Sequence, residues 1–234
     1  MHRPRSPASP SRLIAALALA AATSGHAEVG VTVGVDSDAR YRGVSLSDSK
    51  PSARVTVNDD LADRWYVGAS ATSARVGATG DSAVQWLGYA GWTKPIGDGR
   101  HLELGIDASH FAGVSGYDFV EGYAGLLAEG WSTRIYFAPD YWGRHVRVAY
   151  AELDARVPVS ARGRLFGHVG ALLPLGGAHG DANRPRGDAA LGVGATLGRW
   201  DLRLAWVAAS ADGPYPAVYA GHRQAVVAGV SLSF

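Results

Sequence analysis

The last ten residues of the chain form two faces at a period of two. Val226, Ala228, Val230, Leu232 and Phe234 share one apolar face, and the other face is mostly small or polar. A period of two is the geometry of a β-strand. Chain ends are usually frayed and polar, so a regular pattern up to the final residue is unusual. It predicts a terminal strand whose apolar face lies either in a sandwich core or on the lipid side of a closed barrel.

The same alternation divides residues 29–234 into about a dozen strand-like segments separated by turn residues. In the segment 101–110, four apolar residues oppose polar or small ones that include Glu103 and Asp107. The first predicted strand runs over residues 29–41. No segment has a convincing helical period, so the sequence predicts an all-β chain.

The predicted connections alternate between compact turns and mostly longer loops rich in Gly, Pro, Asp and Ser. Outer-membrane barrels show this asymmetry, with tight periplasmic turns and long extracellular loops. A soluble sandwich gives no reason for the two classes to alternate. We therefore predict a single transmembrane antiparallel up-and-down β-barrel of about twelve strands in the bacterial outer membrane.

The N-terminal residues have the pattern of a secretory signal peptide. Three arginines precede an apolar run at residues 13–22, which is too short to cross a bilayer, and Gly25 and Ala27 follow at the cleavage position. We therefore predict that residues 1–27 are a cleaved signal peptide and that residues 28–234 form the barrel.

Composition narrows the function further. Removing three of the 22 basic residues with the signal peptide, and none of the 21 acidic ones, changes the net charge from +1 to −2. The positive net charge of the full chain therefore comes from the signal peptide and does not indicate a nucleic-acid partner. The chain has no cysteine, which excludes disulfides, a thiol nucleophile and a thiolate metal site.

Aromatic residues mark one predicted rim of the barrel. Trp65, Trp131 and Trp200 follow short turns and Trp92 precedes one, so all four are expected in an aromatic girdle that contacts outer-membrane lipid. The terminal Phe234 resembles the C-terminal aromatic that the barrel-assembly machinery reads, and this machinery is a predicted partner.

The faces opposite the apolar ones carry the charges. Arginine on a lipid face would cost roughly 2–4 kcal/mol at the midplane, so these charges are expected to point inward. The predicted pore-lining residues are Asp36, Asp38, Arg40, Arg42, Arg54, Glu103, Asp107, Arg134, Glu152 and Arg203, with Asp154, Arg156 and His168 on the same inward faces.

Two interpretations of this charged interior remain open. The charges either line a polar pore and select solutes, or pair across strands and fill the interior. On the first two predicted strands, Arg40, Arg42 and Arg54 could form a cationic stripe for carboxylate or phosphate groups. Asp36 and Asp38 close by could equally cancel it.

Residues 37–51 read SDARYRGVSLSDSKP, and residues 65–70 read WYVGAS. Together they resemble the N-terminal signature of the proteobacterial TorF-type family of outer-membrane proteins, which are regarded as porins. In that family a Ser-Asp-Tyr-like start leads to Arg-Gly-(Val/Ile)-Ser and then a Pro, and Ala39 departs from the expected aromatic. The resemblance covers residues 36–75 and implies a β-barrel and a channel.

These observations predict a porin-like channel for passive passage of small polar or charged solutes through a narrow lumen. One alternative is a non-conducting structural or adhesive barrel that presents the loops 174–187 and 210–224. A lipid hydrolase is another alternative, but Ser109 and His110 are adjacent and point to opposite faces of a strand. The sequence has no nucleophile-elbow motif and no metal-ligand spacing among its eight histidines, so no enzyme activity, metal or cofactor is predicted.

Overall fold

The computed structural model describes residues 29–76, 80–177, 180–210 and 223–234. The predicted signal peptide, residues 1–27, lies outside the described residues. Twelve strands form one closed antiparallel barrel in which the last strand pairs with the first. No helix among the described residues is long and apolar enough to cross a membrane.

Fourteen strands are numbered in chain order. The twelve barrel strands are β1 (Gly30–Asp36), β4 (Ser52–Asp60), β5 (Trp65–Val76), β6 (Asp81–Gly97), β7 (Arg100–Ala112), β8 (Phe119–Ala128), β9 (Trp131–Ala138), β10 (Arg147–Pro158), β11 (Gly163–Gly176), β12 (Arg186–Leu197), β13 (Trp200–Ala209) and β14 (Gln224–Ser233). The other two, β2 (Arg40–Tyr41) and β3 (Val44–Ser45), pair only with each other. Short 3₁₀ helices lie at Ala62–Arg64, Tyr141–Gly143 and Gly180–Asn183.

The second half of the terminal strand, Gly229–Ser233, closes the barrel by pairing with β1. Val33 of β1 pairs with Leu232 of β14, and the Phe234 N–H donates to the Val31 carbonyl at 2.9 Å. Each of the other barrel strands pairs with its neighbours in sequence order. The structure thus confirms the predicted all-β, twelve-stranded antiparallel barrel.

The connections define the two ends of the barrel. Five of them are compact, at residues 61–64, 98–99, 129–130, 159–162 and 198–199, and all lie at the end that also holds residues 29 and 234; we call it the short-turn end. The opposite, long-loop end carries the connections 37–51, 77–80, 113–118, 139–146, 177–185 and 210–223. Only 77–80 among these is short, because β5 and β6 extend further than the sequence pattern indicates.

The two faces of each strand separate apolar from charged side chains. Ile106, Leu191 and Val226 point outward and are 52%, 66% and 66% exposed, whereas Glu103 and Glu121 point inward and are 3% and 0% exposed. The predicted alternation therefore assigns the side chains to the correct faces of the strands.

Residues 37–51 depart from the prediction. The first strand ends at Asp36 rather than at residue 41, and the following segment turns into the barrel as the β2–β3 hairpin. We call residues 37–51 the plug hairpin. Asp38 and Arg40 therefore do not lie on a barrel strand, and placing them on the first strand was wrong.

Side-chain hydrogen bonds fold the plug hairpin back on itself. The Asp38 carboxylate accepts hydrogen bonds from Arg40 Nε at 2.7 Å, Ser45 Oγ at 2.5 Å and Ser47 Oγ at 3.1 Å. Short polar side chains that bond to nearby groups compete with strand pairing in this way. The chain reverses at Arg42 and Gly43, which have φ angles of 48° and 74°.

An apolar core lies inside the barrel at the long-loop end. Tyr141 and Trp142, from the 3₁₀ helix between β9 and β10, are fully buried there. Trp142 packs against Phe111 and Phe119, with ring centroids 5.5 Å apart in both pairs. Leu46 of the plug hairpin belongs to the same cluster, so loop residues fill this end of the interior.

Candidate functional site

Arg42 anchors the plug hairpin to the barrel wall. Its Nη1 and Nη2 donate to Glu121 Oε1 and Oε2 of β8 at 2.9 and 2.6 Å. Nη1 also contacts the Tyr141 hydroxyl at 3.2 Å. The Arg42 and Glu121 side chains are only 4% and 0% exposed. A bidentate guanidinium–carboxylate pair with this burial is strong and directional.

Tyrosine rings surround the Arg42 guanidinium. Its Cζ lies 4.0 Å from the ring centroid of Tyr150, 4.8 Å from Tyr41, 5.1 Å from Tyr136 and 5.5 Å from Tyr141. Such faces stabilise a desolvated cation. Burial raises the pKa of the Tyr41 hydroxyl well above its ordinary value, so Tyr41 stays neutral in the cluster.

Gly43 allows the plug hairpin to touch the opposite wall. A Cβ at this position would lie 2.7 Å from the Ala209 Cβ and 2.8 Å from the Asp188 Cβ. The positive φ also favours glycine. In the Arg-Gly-Val-Ser motif, the arginine thus provides the charge that anchors the hairpin, and the glycine allows the hairpin backbone to approach the barrel wall closely.

A second charged network lies on β7, β9 and β10. Arg134 Nε donates to Glu103 Oε2 at 2.6 Å, and Arg134 Nη1 lies 3.7 Å from Glu152 Oε1. The Tyr66 hydroxyl donates to Glu103 and the Tyr136 hydroxyl donates to Glu152 at 2.9 Å. Both carboxylates therefore have partners.

His168 bridges two carboxylates on the neighbouring wall. Its Nδ1 lies 2.8 Å from Asp154 Oδ1 and its Nε2 lies 2.9 Å from Asp188 Oδ1. Ligand atoms of Glu152, Asp154 and His168 lie within 4.8 Å of one another, as a metal site would require. However, both ring nitrogens already face carboxylates, which is the arrangement of an ion-paired imidazolium rather than of a neutral metal ligand.

On the opposite wall, two arginine side chains contact the carboxylate of Asp36. Arg203 Nη2 and Nε lie 2.5 and 3.2 Å from Asp36 Oδ1, and Arg54 Nη2 lies 3.5 Å from Oδ2. By contrast, Asp107 faces Glu121 in the register of β7 and β8. Its buried Oδ1 has no hydrogen-bond partner in the described part of the chain.

Below the plug hairpin the interior is not filled. A cavity of about 650 Å³ extends from Arg42 and Gly43 to Gly130 in the turn between β8 and β9. Its charged lining residues are Arg40, Arg42, Arg134, Asp154, Arg156, His168, Asp188 and Arg203. A smaller cavity of about 280 Å³ lies between the plug hairpin and the wall that carries Asp36 and Arg54.

All ten predicted pore-lining residues lie in the barrel interior, although three of them, Asp38, Arg40 and Arg42, belong to the plug hairpin rather than to a barrel strand. That they line a conducting pore stays a prediction. The stripe of Arg40, Arg42 and Arg54 does not form: Arg40 pairs with Asp38, Arg42 with Glu121, and Arg54 faces Asp36. The placement of this stripe on two adjacent strands was wrong because the first strand ends before Arg40.

Sequence reasoning missed Glu121, Asp188 and the inward tyrosines. A signal existed for Glu121, which is the only charged residue of β8 and lies on the face opposite the exposed Val120. Its partner Arg42 is 79 positions earlier in the chain, and no spacing rule connects the two.

The tryptophans named above lie at the short-turn end and face outward. Trp65, Trp131 and Trp200 are the first residues of β5, β9 and β13, and Trp92 of β6 pairs directly with Trp65. Phe234 is 63% exposed. Contact with lipid and recognition by the assembly machinery stay predictions.

The candidate serine and histidine are separated by the strand. Ser109 is buried inside and accepts a hydrogen bond from Gln85 Nε2 at 3.1 Å. His110 lies on the other face, where its Nδ1 is 2.8 Å from Asp118 Oδ2. These two side chains do not form a hydrogen-bonded dyad in the structure.

A closed antiparallel barrel with an apolar exterior and a charged interior has the architecture of outer-membrane β-barrels. The chain belongs to the family described as "Bacterial protein of unknown function (Gcw_chp)", which matches residues 19–234. No curated protein matches the chain.

Solved structures with the same fold include two porins. The NanC porin is 10% identical, with a TM-score of 0.57 over 88% of this chain and 99% of that one. The KdgM porin in complex with disordered oligogalacturonate is 9% identical, with a TM-score of 0.55 over 88% and 99% of the two chains. At these identities the likeness concerns the fold alone.

Proposed function

We propose that this protein is a narrow porin-like channel in the bacterial outer membrane, through which small polar or charged solutes pass passively. The plug hairpin is its constriction. The observation that carries the proposal is the cavity of about 650 Å³ inside the barrel, which is lined by charged side chains from several strands. A barrel that served only as a scaffold would have no need of this charge-lined space.

Three further features support the proposal. The outward face is apolar along the strands, as a lipid-facing surface requires. The architecture is that of the NanC and KdgM porins. The plug hairpin itself carries the motif that resembles the TorF-type family. This membership is part of the proposal, as is export through the predicted signal peptide.

One observation favours a second candidate function. At the long-loop end, Phe111, Tyr141 and Trp142 are fully buried and the Arg42–Glu121 pair is closed. A barrel that stays closed in this way would be a non-conducting structural or adhesive protein that presents its long loops outside the cell.

Single-channel recording separates these two functions. The full chain is expressed in a Gram-negative host, purified from the outer membrane in detergent, and added to a planar bilayer under a salt gradient. The channel proposal predicts discrete conductance steps. An empty-vector purification is the control. A heat-modifiable, folded barrel that gives no steps would contradict the channel and support the non-conducting barrel.

A further inference from the structure

We propose that Arg54 and Arg203 form an anion-binding subsite for solutes that carry a single carboxylate, so that the channel prefers small monocarboxylates. This inference rests on the proposed function and names the solute class that the lumen selects. It replaces the predicted stripe, whose other members are neutralised by Asp38 and Glu121.

The subsite has more positive than negative charge. Both guanidinium groups approach the same carboxylate, that of Asp36, at 2.5 Å for Arg203 and 3.5 Å for Arg54. One carboxylate cannot neutralise two guanidinium groups. The cluster therefore keeps one net positive charge in a region partly shielded from water, where an added anion is attracted more strongly than at an open surface.

The two cations, rather than the anion, face the open space. The side chains of Arg54 and Arg203 are 40% and 39% exposed, whereas that of Asp36 is 10% exposed. The side chains of Asp36 and Arg203 both contact Gly229 of β14, and a Cβ at this position would lie 2.6 Å from Arg203 Nε. The wall thus holds Asp36 behind the guanidinium groups.

Hydrogen-bond donors remain for a ligand. Arg203 donates from Nε and Nη2 to Asp36, and Arg54 Nη2 lies 3.5 Å from the same carboxylate as an ion-pair contact. Within the described residues, neither Nη1 donates to another group. Arginine donors bind planar carboxylates in a forked geometry, so the free donors suit such an anion.

The position suits a solute in transit. Both arginines line the cavity of about 280 Å³, together with the polar side chains of Ser70 and Thr72. Arg203 also lines the cavity of about 650 Å³. Arg203 therefore borders both cavities beside the plug hairpin.

Three other inward arginines, Arg42, Arg134 and Arg164, lack this property because each has a carboxylate partner of its own. Arg42 pairs with Glu121, and Arg134 pairs with Glu103. Arg164 makes two bonds of 2.8 Å with Asp201. One carboxylate neutralises the single net positive charge at Arg54 and Arg203, whereas an anion of higher charge would leave net negative charge in this partly shielded cluster.

Variants of the two arginines test the subsite. Gluconate serves as the monocarboxylate probe, and its block of chloride conductance is measured for the full-length protein and for the R54Q/R203Q variant. We expect gluconate to block the unchanged protein in a concentration-dependent manner, and the block to weaken at least tenfold in the variant. The reversal potential in a KCl gradient should shift away from chloride preference in the same variant.

R164Q is the control, because it removes one positive charge from another part of the wall. It is compared with R54Q, which also removes one positive charge. The proposal predicts that R164Q retains the gluconate block and that R54Q weakens it. Equal losses in R164Q and R54Q would overturn the subsite, because the effect would then come from lumen charge in general. Heat modifiability on a gel verifies that each variant is folded.

The outcomes for the subsite and for the channel are distinct. Conductance steps without chloride preference or gluconate block would overturn the subsite and leave the channel in place. If no steps occur, equilibrium dialysis of radiolabelled gluconate against the detergent-purified protein tests the subsite directly. Binding that is lost in R54Q/R203Q would support the subsite without transport, and absence of binding would overturn it.

Discussion

At the long-loop end of the barrel the interior is packed with aromatic side chains, whereas toward the short turns the same strands surround a cavity lined in part by charged side chains. Trp142 and the Arg42–Glu121 pair are almost completely buried in the first region. In the second, the Arg134 side chain is 26% exposed and lines the cavity. The strands continue through both regions, so the loops create the difference.

Barrel width explains why both regions exist. Eight strands enclose an interior that side chains can fill, and sixteen or more leave an aqueous channel. A barrel of twelve strands lies between these cases. Its own inward side chains leave space, which the plug hairpin and the Tyr141–Gly143 turn occupy at one end only. The comparison teaches that closure of this lumen depends on loop residues.

The largest expected effect comes from breaking the buried ion pair. Glu121→Ala leaves the Arg42 charge buried without its carboxylate, which costs about 3–5 kcal/mol of unfolding free energy. Urea unfolding in lipid vesicles, followed by tryptophan fluorescence, measures this loss. Replacing both partners in R42M/E121L should restore most of the stability, because no unpaired charge remains. Equal losses in the single and double variants would contradict the account of the closed region.

Trp142→Ala should have the next largest effect. It removes a fully buried ring from the aromatic cluster, and large-to-small changes of this kind cost about 3 kcal/mol or more. Trp206→Ala is the matched control, because Trp206 faces outward and is 45% exposed. The same unfolding experiment should show a clearly smaller loss for the control. A similar loss in both would mean that the long-loop end is not tightly packed.

Gly43→Ala tests the contact between the plug hairpin and the wall. The new Cβ would overlap Ala209 and Asp188, and overpacking of this kind costs about 1–3 kcal/mol. Gly116→Ala is the control: it also has a positive φ, of 79°, but a Cβ there would meet no atom within 4 Å. Proteolysis of the hairpin should become faster only in Gly43→Ala. Equal protection in both variants would argue against close packing at Gly43.

The smallest effect is expected in the open region. Arg134→Gln removes a cation from Glu103, but the Tyr66 hydroxyl still donates to this carboxylate, and the position of Arg134 borders the cavity. We expect a loss of about 1 kcal/mol, the size of one ordinary hydrogen bond. Calorimetric or urea unfolding measures this loss of unfolding free energy, and Glu121→Ala is measured in the same experiment for comparison. A loss as large as that of Glu121→Ala would erase the difference between the two regions.

The sequence predicted the fold well because alternation directly reports which side of a strand each residue faces. Ile106 and Leu204 lie on the predicted outward face, and their neighbours Asp107 and Arg203 lie on the predicted inward face. It failed at residues 37–41, because Asp36, Asp38 and Arg40 continue the alternation of β1 although the strand has ended. What ends it is the bonding of Asp38 to Ser45 and Ser47, and the pairing of Arg42 with a carboxylate 79 positions later. Such long-range contacts leave no local pattern.

Shortening the plug hairpin tests most directly whether it closes the lumen. Asp36 and Ser52 are cross-strand partners, so a short Gly-Ser linker can replace residues 38–50 without opening the barrel. Glu121→Gln in the same chain avoids an unpaired buried charge. We predict a single-channel conductance several times that of the full chain, with heat modifiability retained. A folded barrel whose conductance does not change would contradict the conclusion that the plug hairpin is the constriction.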